Sequence, residues 1–81
     1  MKVPLAFVLI DVEAGKVQEI INSLKKIPGV TEAYGVTGPH DIVVKIQLQG
    51  FEEVAATVSQ KIHKLSGVKN TLTMFTFERI S

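Results

Sequence analysis

Two adjacent residues with chemically active side chains, His40 and Asp41, follow a glycine and a proline in the middle of the chain. A histidine beside an aspartate has the groups needed to bind a metal or to act as an acid and a base. Neighbouring residues on a strand point to opposite faces, however, so both side chains can face one ion only across a turn. We therefore predict no catalytic residues, no metal site and no cofactor.

The segment that leads into this doublet is suited to binding an anion through its backbone. Gly35 and Gly38 permit positive φ, and Pro39 donates no hydrogen bond. Outward-pointing backbone amides can form a nest for a carboxylate. The candidate amides are those of Thr37, Gly38, His40 and Asp41. With the Asp41 carboxylate beside it, such a nest suits the α-carboxylate and α-ammonium of an amino acid. In the alternative interpretation, Gly38 and Pro39 make a hairpin turn that Asp41 caps.

The remaining polar residues give no enzyme signature. The chain has no cysteine, no glycine-rich phosphate loop and no paired-histidine motif. His63 comes near the end of a predicted helix, where a cation is favoured by the helix dipole, and we assign it a structural role.

Hydrophobic periodicity predicts six elements in the order βαββαβ. One helix face is formed by Val17, Ile20, Ile21, Leu24 and Ile27. A second helix face is formed by Phe51, Val54, Ala55, Val58, Ile62 and Leu65. Four strands are predicted at residues 3–10, 30–36, 41–49 and 68–77, with a turn at 37–40.

A short internal repeat supports this order. Segment 24–30, LKKIPGV, aligns with segment 62–68, IHKLSGV, and each copy ends a helix and begins a strand. The alternative is that two helix ends converge on Gly-Val by chance. Two interleaved βαβ units with right-handed crossovers give a four-stranded antiparallel sheet of order 4-1-3-2 with both helices on one face. We therefore predict a single α+β domain, residues 1–81, with the ferredoxin-like sandwich fold.

The face of the sheet away from the helices is predicted to be apolar as well. The first strand has Leu5, Phe7 and Leu9 on one side and Ala6, Val8 and Ile10 on the other. The last strand places Leu72 and Met74 on one side and Phe75 and Phe77 on the other. Such a patch is too large for a monomer. We predict a homodimer in which two sheets pack face to face and bury about 1,500 Å² or more in total.

The composition agrees with self-association. Hydrophobic residues make up 46% of the chain and the mean hydropathy is +0.27, which is high for a small soluble domain. The net charge of +1 gives no basic field of the kind that binds nucleic acid. The apolar segment 3–10 is too short to span a membrane, and the absence of cysteine fits a reducing compartment. We expect a cytoplasmic protein without membrane contact.

Two segments resemble one known family. The run 34–45, YGVTGPHDIVVK, resembles the signature of the Lrp/AsnC family of feast/famine regulators, whose ligand-binding RAM domain carries a Tyr-x-Val-Thr-Gly-x-x-Asp run. Segment 65–77 is similar to the closing strand of that domain, in which a Gly-Val step precedes spaced threonines. Full-length members carry a helix-turn-helix domain before the RAM domain, whereas here Met1 leads directly into the first strand. The resemblance implies a stand-alone RAM protein that does not bind operator DNA by itself.

The resemblance also implies a binding site and an assembly. RAM domains dimerise through their sheets and assemble into rings, commonly octamers of four dimers, with amino acids bound between dimers. The ligand-binding residues carried over from the family are Tyr34, Val36, Thr37, Gly38, His40, Asp41, Thr71 and Thr73. Asp41 is expected to hold the amino-acid head and His40 to select the side chain. Thr71 and Thr73 would come from a neighbouring subunit, although both are also ordinary β-branched strand residues.

The leading hypothesis is an amino-acid-responsive module of transcription regulation that is not an enzyme and that modulates its own assembly or a full-length Lrp/AsnC regulator. One alternative is an oligomerisation adaptor without a ligand. A third is a small ferredoxin-like enzyme that uses His40 and Asp41 as acid and base, which requires a deep apolar cavity inside each subunit.

Overall fold

The computed structural model describes residues 5–77, which fold in the predicted order βαββαβ. The strands are β1 (Leu5–Val12), β2 (Val30–Gly35), β3 (Ile42–Gln47) and β4 (Val68–Phe75). The helices are α1 (Val17–Leu24) and α2 (Phe51–Thr57), and α2 continues into a π-helical segment, Val58–Ile62. Val3 and Pro4, which belong to the predicted first strand, lie outside the described residues.

The four strands form one antiparallel sheet in the order β2-β3-β1-β4, which confirms the predicted 4-1-3-2 arrangement. β1 is central and pairs with both β3 and β4. Val8, for example, lies opposite Val44 on β3 and opposite Thr73 on β4. The ends of β1 therefore contact the ends of both neighbouring strands.

A single hydrophobic core joins both helices to one face of the sheet. Alternate residues of β1 and β3 are fully buried and meet the buried side chains of α1, α2 and the π-helical segment. Each such aliphatic side chain contributes about 1.5–3 kcal/mol. The buried residues are Ala6, Val8, Ile10, Val12, Ile20, Ile21, Leu24, Ile42, Val44, Ile46, Val54, Val58 and Ile62. Both helices thus cover the same face, as predicted.

The ends of several elements differ from the prediction. α1 ends at Leu24, and Ile27 lies in the following turn, where its amide donates to the Leu24 carbonyl at 3.0 Å. The predicted second helix is regular only to Thr57. Beyond Thr57 the helix widens, and the His63 amide donates to the carbonyl of Val58, five residues earlier, at 2.8 Å. Val58 and Ile62 stay buried across this change, so hydrophobic spacing did not reveal it. β2, β3 and β4 are each one to three residues shorter than predicted.

The internal repeat corresponds to a structural repeat. Gly29 and Gly67 occupy equivalent positions after the two helices and have φ of 95° and 97°. The Gly29 carbonyl accepts a hydrogen bond from the Gln47 amide, and the Gly67 carbonyl accepts one from the Glu13 amide, both at 2.8 Å. Each glycine therefore ties the start of one strand to the end of a central strand. The similarity of the two segments reflects one geometry used twice.

The face of the sheet away from the helices, here called the open face, is apolar over β1 and β4. Leu5, Phe7 and Leu9 are only partly buried, and Leu72 and Met74 are 51% and 44% exposed. The opposite pairing of Phe7 with Met74 and of Leu9 with Leu72 makes these side chains neighbours. The predicted apolar patch is therefore present on the described chain. The dimer that would cover it stays a prediction.

Over β2 and β3 the open face carries a cluster of polar side chains beside Val43. The Tyr34 hydroxyl donates to Glu32 Oε1 at 2.5 Å, and Lys45 Nζ donates to Glu32 Oε2 at 3.1 Å. These hydrogen bonds, that from Tyr34 foremost, lower the pKa of Glu32 below its ordinary value. The hydrogen bond to Glu32 and its negative charge raise the pKa of Tyr34. The cluster marks the polar border of the apolar patch.

Replacing Gly29 with alanine is expected to destabilise the fold more than replacing Gly15. Gly15 has φ of 81° and no atom within 4 Å of an added Cβ. Gly15→Ala should therefore lower the free energy of unfolding only by the cost of the left-handed backbone, about 1–2 kcal/mol. A Cβ on Gly29 would lie 2.6 Å from Leu48 Cδ2 as well, which adds a further ~1–3 kcal/mol. Urea unfolding of the two variants measures the difference. Equal losses would show that Leu48 moves aside without cost.

The ionisation of Tyr34 provides a second test. It is the only tyrosine and the chain has no tryptophan, so absorbance reports this phenol alone. Because its pKa is raised, Tyr34 should ionise at a higher pH than free tyrosine. Its stabilising contribution is complete below the ordinary tyrosine pKa and is lost as the pH rises through the raised value. Glu32→Gln should lower the titration midpoint, whereas Glu19→Gln, on α1, should not. An unchanged midpoint in Glu32→Gln would contradict the assigned hydrogen bond.

Candidate functional site

The predicted ligand loop, residues 36–41, connects β2 to β3 at the end of the sheet where β1 also ends. Gly35, Ile42 and Ile10 lie side by side across these three strands. The Val36 amide donates to the Asp41 carbonyl at 2.9 Å and closes the connection. Gly38 has φ of 107° with open space around it, and the Gly38–Pro39 peptide bond is cis. The loop is therefore an exposed turn anchored at both ends.

Asp41 fastens this turn to the end of β1. Its amide donates to the Ile10 carbonyl at 3.0 Å, and its Oδ2 accepts a hydrogen bond from the Val12 amide at 2.9 Å. The pairing of β1 with β4 shifts register at the same place, between Asp11 and Val12. The Asp41 carboxylate thus satisfies an amide at an irregularity of the sheet. This is the structural role that the alternative interpretation gave to Asp41, although the bond reaches β1 rather than the turn itself.

Three of the four amides predicted to point outward remain available. The prediction was wrong for the Asp41 amide, because that group is bonded to Ile10. The amides of Thr37, Gly38 and His40 find no acceptor among residues 5–77. The Asp41 Oδ1 likewise has no partner in that range. Three donors and one carboxylate oxygen therefore lie without a partner among residues 5–77, all within the five-residue segment 37–41.

His40 makes a side-chain contact with Asp11 that was not predicted from the sequence. Its Nδ1 lies 2.9 Å from Asp11 Oδ1, and both side chains are 30% exposed. A carboxylate accepts hydrogen bonds and does not donate them, so Nδ1–H is the donor in this contact and Nε2 is left for another partner. The predicted topology could have indicated this contact, because the end of β1 lies beside the start of β3 in an antiparallel central pair. Asp11 therefore fixes the orientation of His40.

Tyr34 is adjacent to the loop in sequence but its hydroxyl is engaged elsewhere. It lies opposite Val43 and bonds to Glu32, which is farther from the loop than Tyr34 itself. The structure thus does not bring this hydroxyl to the amides or to Asp41.

Thr71 and Thr73 lie on β4, away from the loop. They pair with Ile10 and Val8, whose side chains are in the core, so they lie on the helix side of the sheet. β1 separates β4 from β3, which places Thr71 about 10 Å, two strand spacings, from Ile42. One chain therefore does not unite the two predicted parts of the site, and a pocket made of both needs a second copy.

His63, which the sequence analysis treated as a helix-end cation, contacts one of these threonines. Its Nδ1 lies 3.3 Å from Thr71 Oγ1. The contact joins the end of the π-helical segment to the edge strand. His63 follows the π-helical segment directly, and this segment was not predicted from the sequence.

Other kinds of site find little support. A groove of about 310 Å³, open to solvent, lies beside α2 and contains none of the predicted ligand residues; it is lined by Pro28, Leu48, Glu53, Ala56, Thr57, Gln60 and Lys61. It is not the deep apolar cavity that the enzyme hypothesis requires. Within residues 5–77, no three His, Cys, Asp or Glu side chains cluster as a metal site would need. No helix in that range has the length and apolar character to cross a bilayer.

Comparison with known sequences identifies relatives along most of the chain. The sequence model of the Lrp/AsnC ligand binding domain matches residues 5–81. The HTH-type transcriptional regulator FL11 of Pyrococcus furiosus is 41% identical over 70 residues, which are 86% of this chain and 46% of the regulator. The chain spans about half the length of the curated relatives it matches.

Solved structures show the same fold. TTHA0845 from Thermus thermophilus superposes with a TM-score of 0.91 at 37% identity, covering 96% of this chain and 98% of that one. The transcriptional regulator NMB0573 from Neisseria meningitidis, solved as a complex with L-Met, gives a TM-score of 0.85 at 20% identity, covering 96% of this chain and 52% of that one. With the family match over nearly all residues, the chain belongs to the Lrp/AsnC ligand-binding domain family.

Proposed function

We propose that this protein is a regulatory module that binds an amino acid at the loop 36–41. The observation that carries the proposal is the unpaired set of three amides beside the free Oδ1 of Asp41. Membership of a ligand-binding domain family supports it, as does the L-Met complex of a regulator with the same fold. Amino-acid binding is the function for which this arrangement has suitable chemistry.

Recognition of the amino-acid head follows from the hydrogen-bonding capacity of the loop. The amides of Thr37, Gly38 and His40 donate to the α-carboxylate, since backbone donors in a turn form a natural anion site. Asp41 Oδ1 accepts from the α-ammonium while Oδ2 keeps its bond to the Val12 amide. His40, held by Asp11, offers Nε2 towards the ligand side chain. Val36 and Tyr34 flank the site.

The ligand acts through assembly. The apolar half of the open face packs against a second copy, and the dimers associate into larger rings in which Thr71 and Thr73 of one subunit face the loop of another. A ligand that binds between subunits favours the assembled state by its differential affinity. The protein would act in the cytoplasm without binding DNA or membrane, either alone or by joining a full-length Lrp/AsnC regulator.

An oligomerisation adaptor without a ligand is the second candidate. The observation in its favour is that Asp41 already serves the fold through its bond to Val12. The two candidates differ in whether Asp41 has a second partner in solution.

Asp41→Asn separates these two roles of Asp41. An asparagine Oδ1 can still accept from the Val12 amide, but it lacks the charge that holds an ammonium group. We expect the affinity for the bound amino acid to fall about tenfold or more, with little change in melting temperature, because a hydrogen bond to a charged group is lost. Calorimetric titration with each of the twenty amino acids measures this.

Glu13→Gln, an exposed carboxamide substitution just after β1, is the matched control and should bind as the wild type does. Wild-type affinity in Asp41→Asn would remove Asp41 from the site. The absence of binding by any amino acid to the wild type would favour the adaptor.

Leu72→Lys tests the assembly. This side chain is 51% exposed on the open face and would meet the partner sheet, so a lysine there would bury a charge in an apolar interface. Sedimentation should show a dimer or larger species for the wild type and a shift to monomer for the variant. Ala55→Lys, an exposed position of α2, should leave the assembly intact. A monomeric wild type, or an unaffected variant, would contradict packing through this face.

A further inference from the structure

We propose that one face of α2 docks against the same face of α2 in a second copy of this chain. The two helices run antiparallel, and a two-fold axis passes beside Thr57. This face, here called the groove face, includes the start of the π-helical segment's outer side; its residues are Glu53, Ala56, Thr57, Gln60 and Lys61, which all line the open groove beside α2. The contact is separate from the open face and does not require a bound amino acid.

The groove gives the partner helix a place to lie. Its other lining residues are Pro28, in the turn after α1, and Leu48, which follows β3. Ala56 and Thr57, at the middle of the groove face, are small and half-buried. The side chains at a helix contact set how closely two helices approach, so small ones here permit a short distance between the axes. An open groove of this kind suits a helix better than an enclosed small molecule.

The charges on the groove face reverse along the helix. Glu53 lies in the first turn of α2, and Lys61 lies in the π-helical segment, about 12 Å farther along the axis. Thr57 is four residues from each of them. Neither charged side chain forms an ion pair with another residue in the range 5–77. Glu53 is held in place, because its Oε1 accepts a hydrogen bond from the Gly50 amide at 3.1 Å.

A second copy carries the charges that this face requires. When two such helices pack antiparallel about Thr57, Glu53 of one chain faces Lys61 of the second copy. The two-fold symmetry repeats the same pair at the other end of the contact. Complementary charges of this kind fix the direction and register of a contact more than they add affinity. Two short helices bury less area than a stable dimer needs, so the contact is weak and adds to association through the open face.

The helix dipole gives a competing explanation of the two charges. An acid at the start of a helix and a base at its end both stabilise the helix itself. The dipole does not account for the small residues between the charges or for the groove alongside them. A dipole role affects the stability of a single chain, whereas a docking role affects how two chains meet.

Disulfide trapping tests the contact, because the chain has no cysteine. Thr57→Cys places two thiols at the two-fold axis, where a disulfide can join the copies. Ala55→Cys is the matched control, since a residue two positions earlier on the helix points away from the groove. Ala55 is exposed and Thr57 is half-buried, so random collisions favour the control. Under mild oxidation Thr57→Cys should form covalent dimers about tenfold faster or more, because pairing raises the effective concentration of the second thiol.

The charges are tested in the Thr57→Cys background. Lys61→Glu should slow the cross-linking about fivefold or more, because two attractive contacts become repulsive. Adding Glu53→Lys should restore most of the rate, since opposite charges then face each other again. Lys69→Glu, on β4 and outside the groove, makes the same change in net charge and should leave the rate unchanged.

Cross-linking of Thr57→Cys no faster than that of Ala55→Cys would overturn the docking surface. A rate that Lys61→Glu does not change would overturn the antiparallel arrangement, and a lower melting temperature in that variant would then assign the charges to the helix dipole. If Thr57→Cys proves unstable, sedimentation of Lys61→Glu and Lys69→Glu in the cysteine-free chain replaces it, and equal assembly of the two would overturn the proposal. No amino acid is added in these experiments, so the proposed binding function stands or falls separately.

Discussion

Two helices cannot cover both faces of a four-stranded sheet, and this constraint shapes the rest of the molecule. The chain uses α1 and α2 to bury one side of β1 and β3 completely, yet it places Leu5, Phe7, Leu9, Leu72 and Met74 on the other side. This apolar half is the surface that the proposed dimer would cover, and the Glu32 cluster lies at its border.

The loop 36–41 depends on the same central strand. Asp41 reaches β1 through two hydrogen bonds, and His40 reaches it through Asp11, so three contacts tie the loop to residues 10–12. β1 also carries the centre of the open face. A change at the loop therefore acts on a strand that the proposed dimer interface contains. Asp41 can hold the fold and also serve the proposed ligand site because a carboxylate has two oxygens, one for the Val12 amide and one that is unpaired within the described chain.

Much of the fold was predictable because the hydrophobic periodicity and the residues that end helices indicate the same boundaries along this chain. Apolar spacing predicted the helices and strands, and the right-handed crossovers of two βαβ units then gave the strand order, with the repeated Gly-Val step in support. The π-helical segment was not predictable, since Val54, Val58 and Ile62 keep a spacing of four whether the helix is regular or widened. The contact of His63, just after this segment, with Thr71 was not predicted either.

The candidate site shows a different limit. Sequence placed the turn and its glycines correctly, but the amide of Asp41 and the partner of His40 depend on β1, more than 25 residues away in the chain. The sequence of a segment shows which hydrogen-bonding groups it contains. Long-range strand pairing decides which of these groups are already bonded within the fold. The Asp11 carboxylate and the Ile10 carbonyl became visible only once β1 and β3 were placed side by side.

In the proposed assembly, the separation of the two half-sites would couple binding to association. The loop lies at the start of β3, and the threonines lie two strands away on β4, on the helix side. If both halves contact the ligand, each bound molecule joins two subunits, and ligand and subunit must raise each other's affinity by the same factor. The sensitivity of such a module then depends on its own concentration as well as on that of the amino acid. In the proposed function, a small domain with one core would respond to its ligand through association rather than through an internal conformational change.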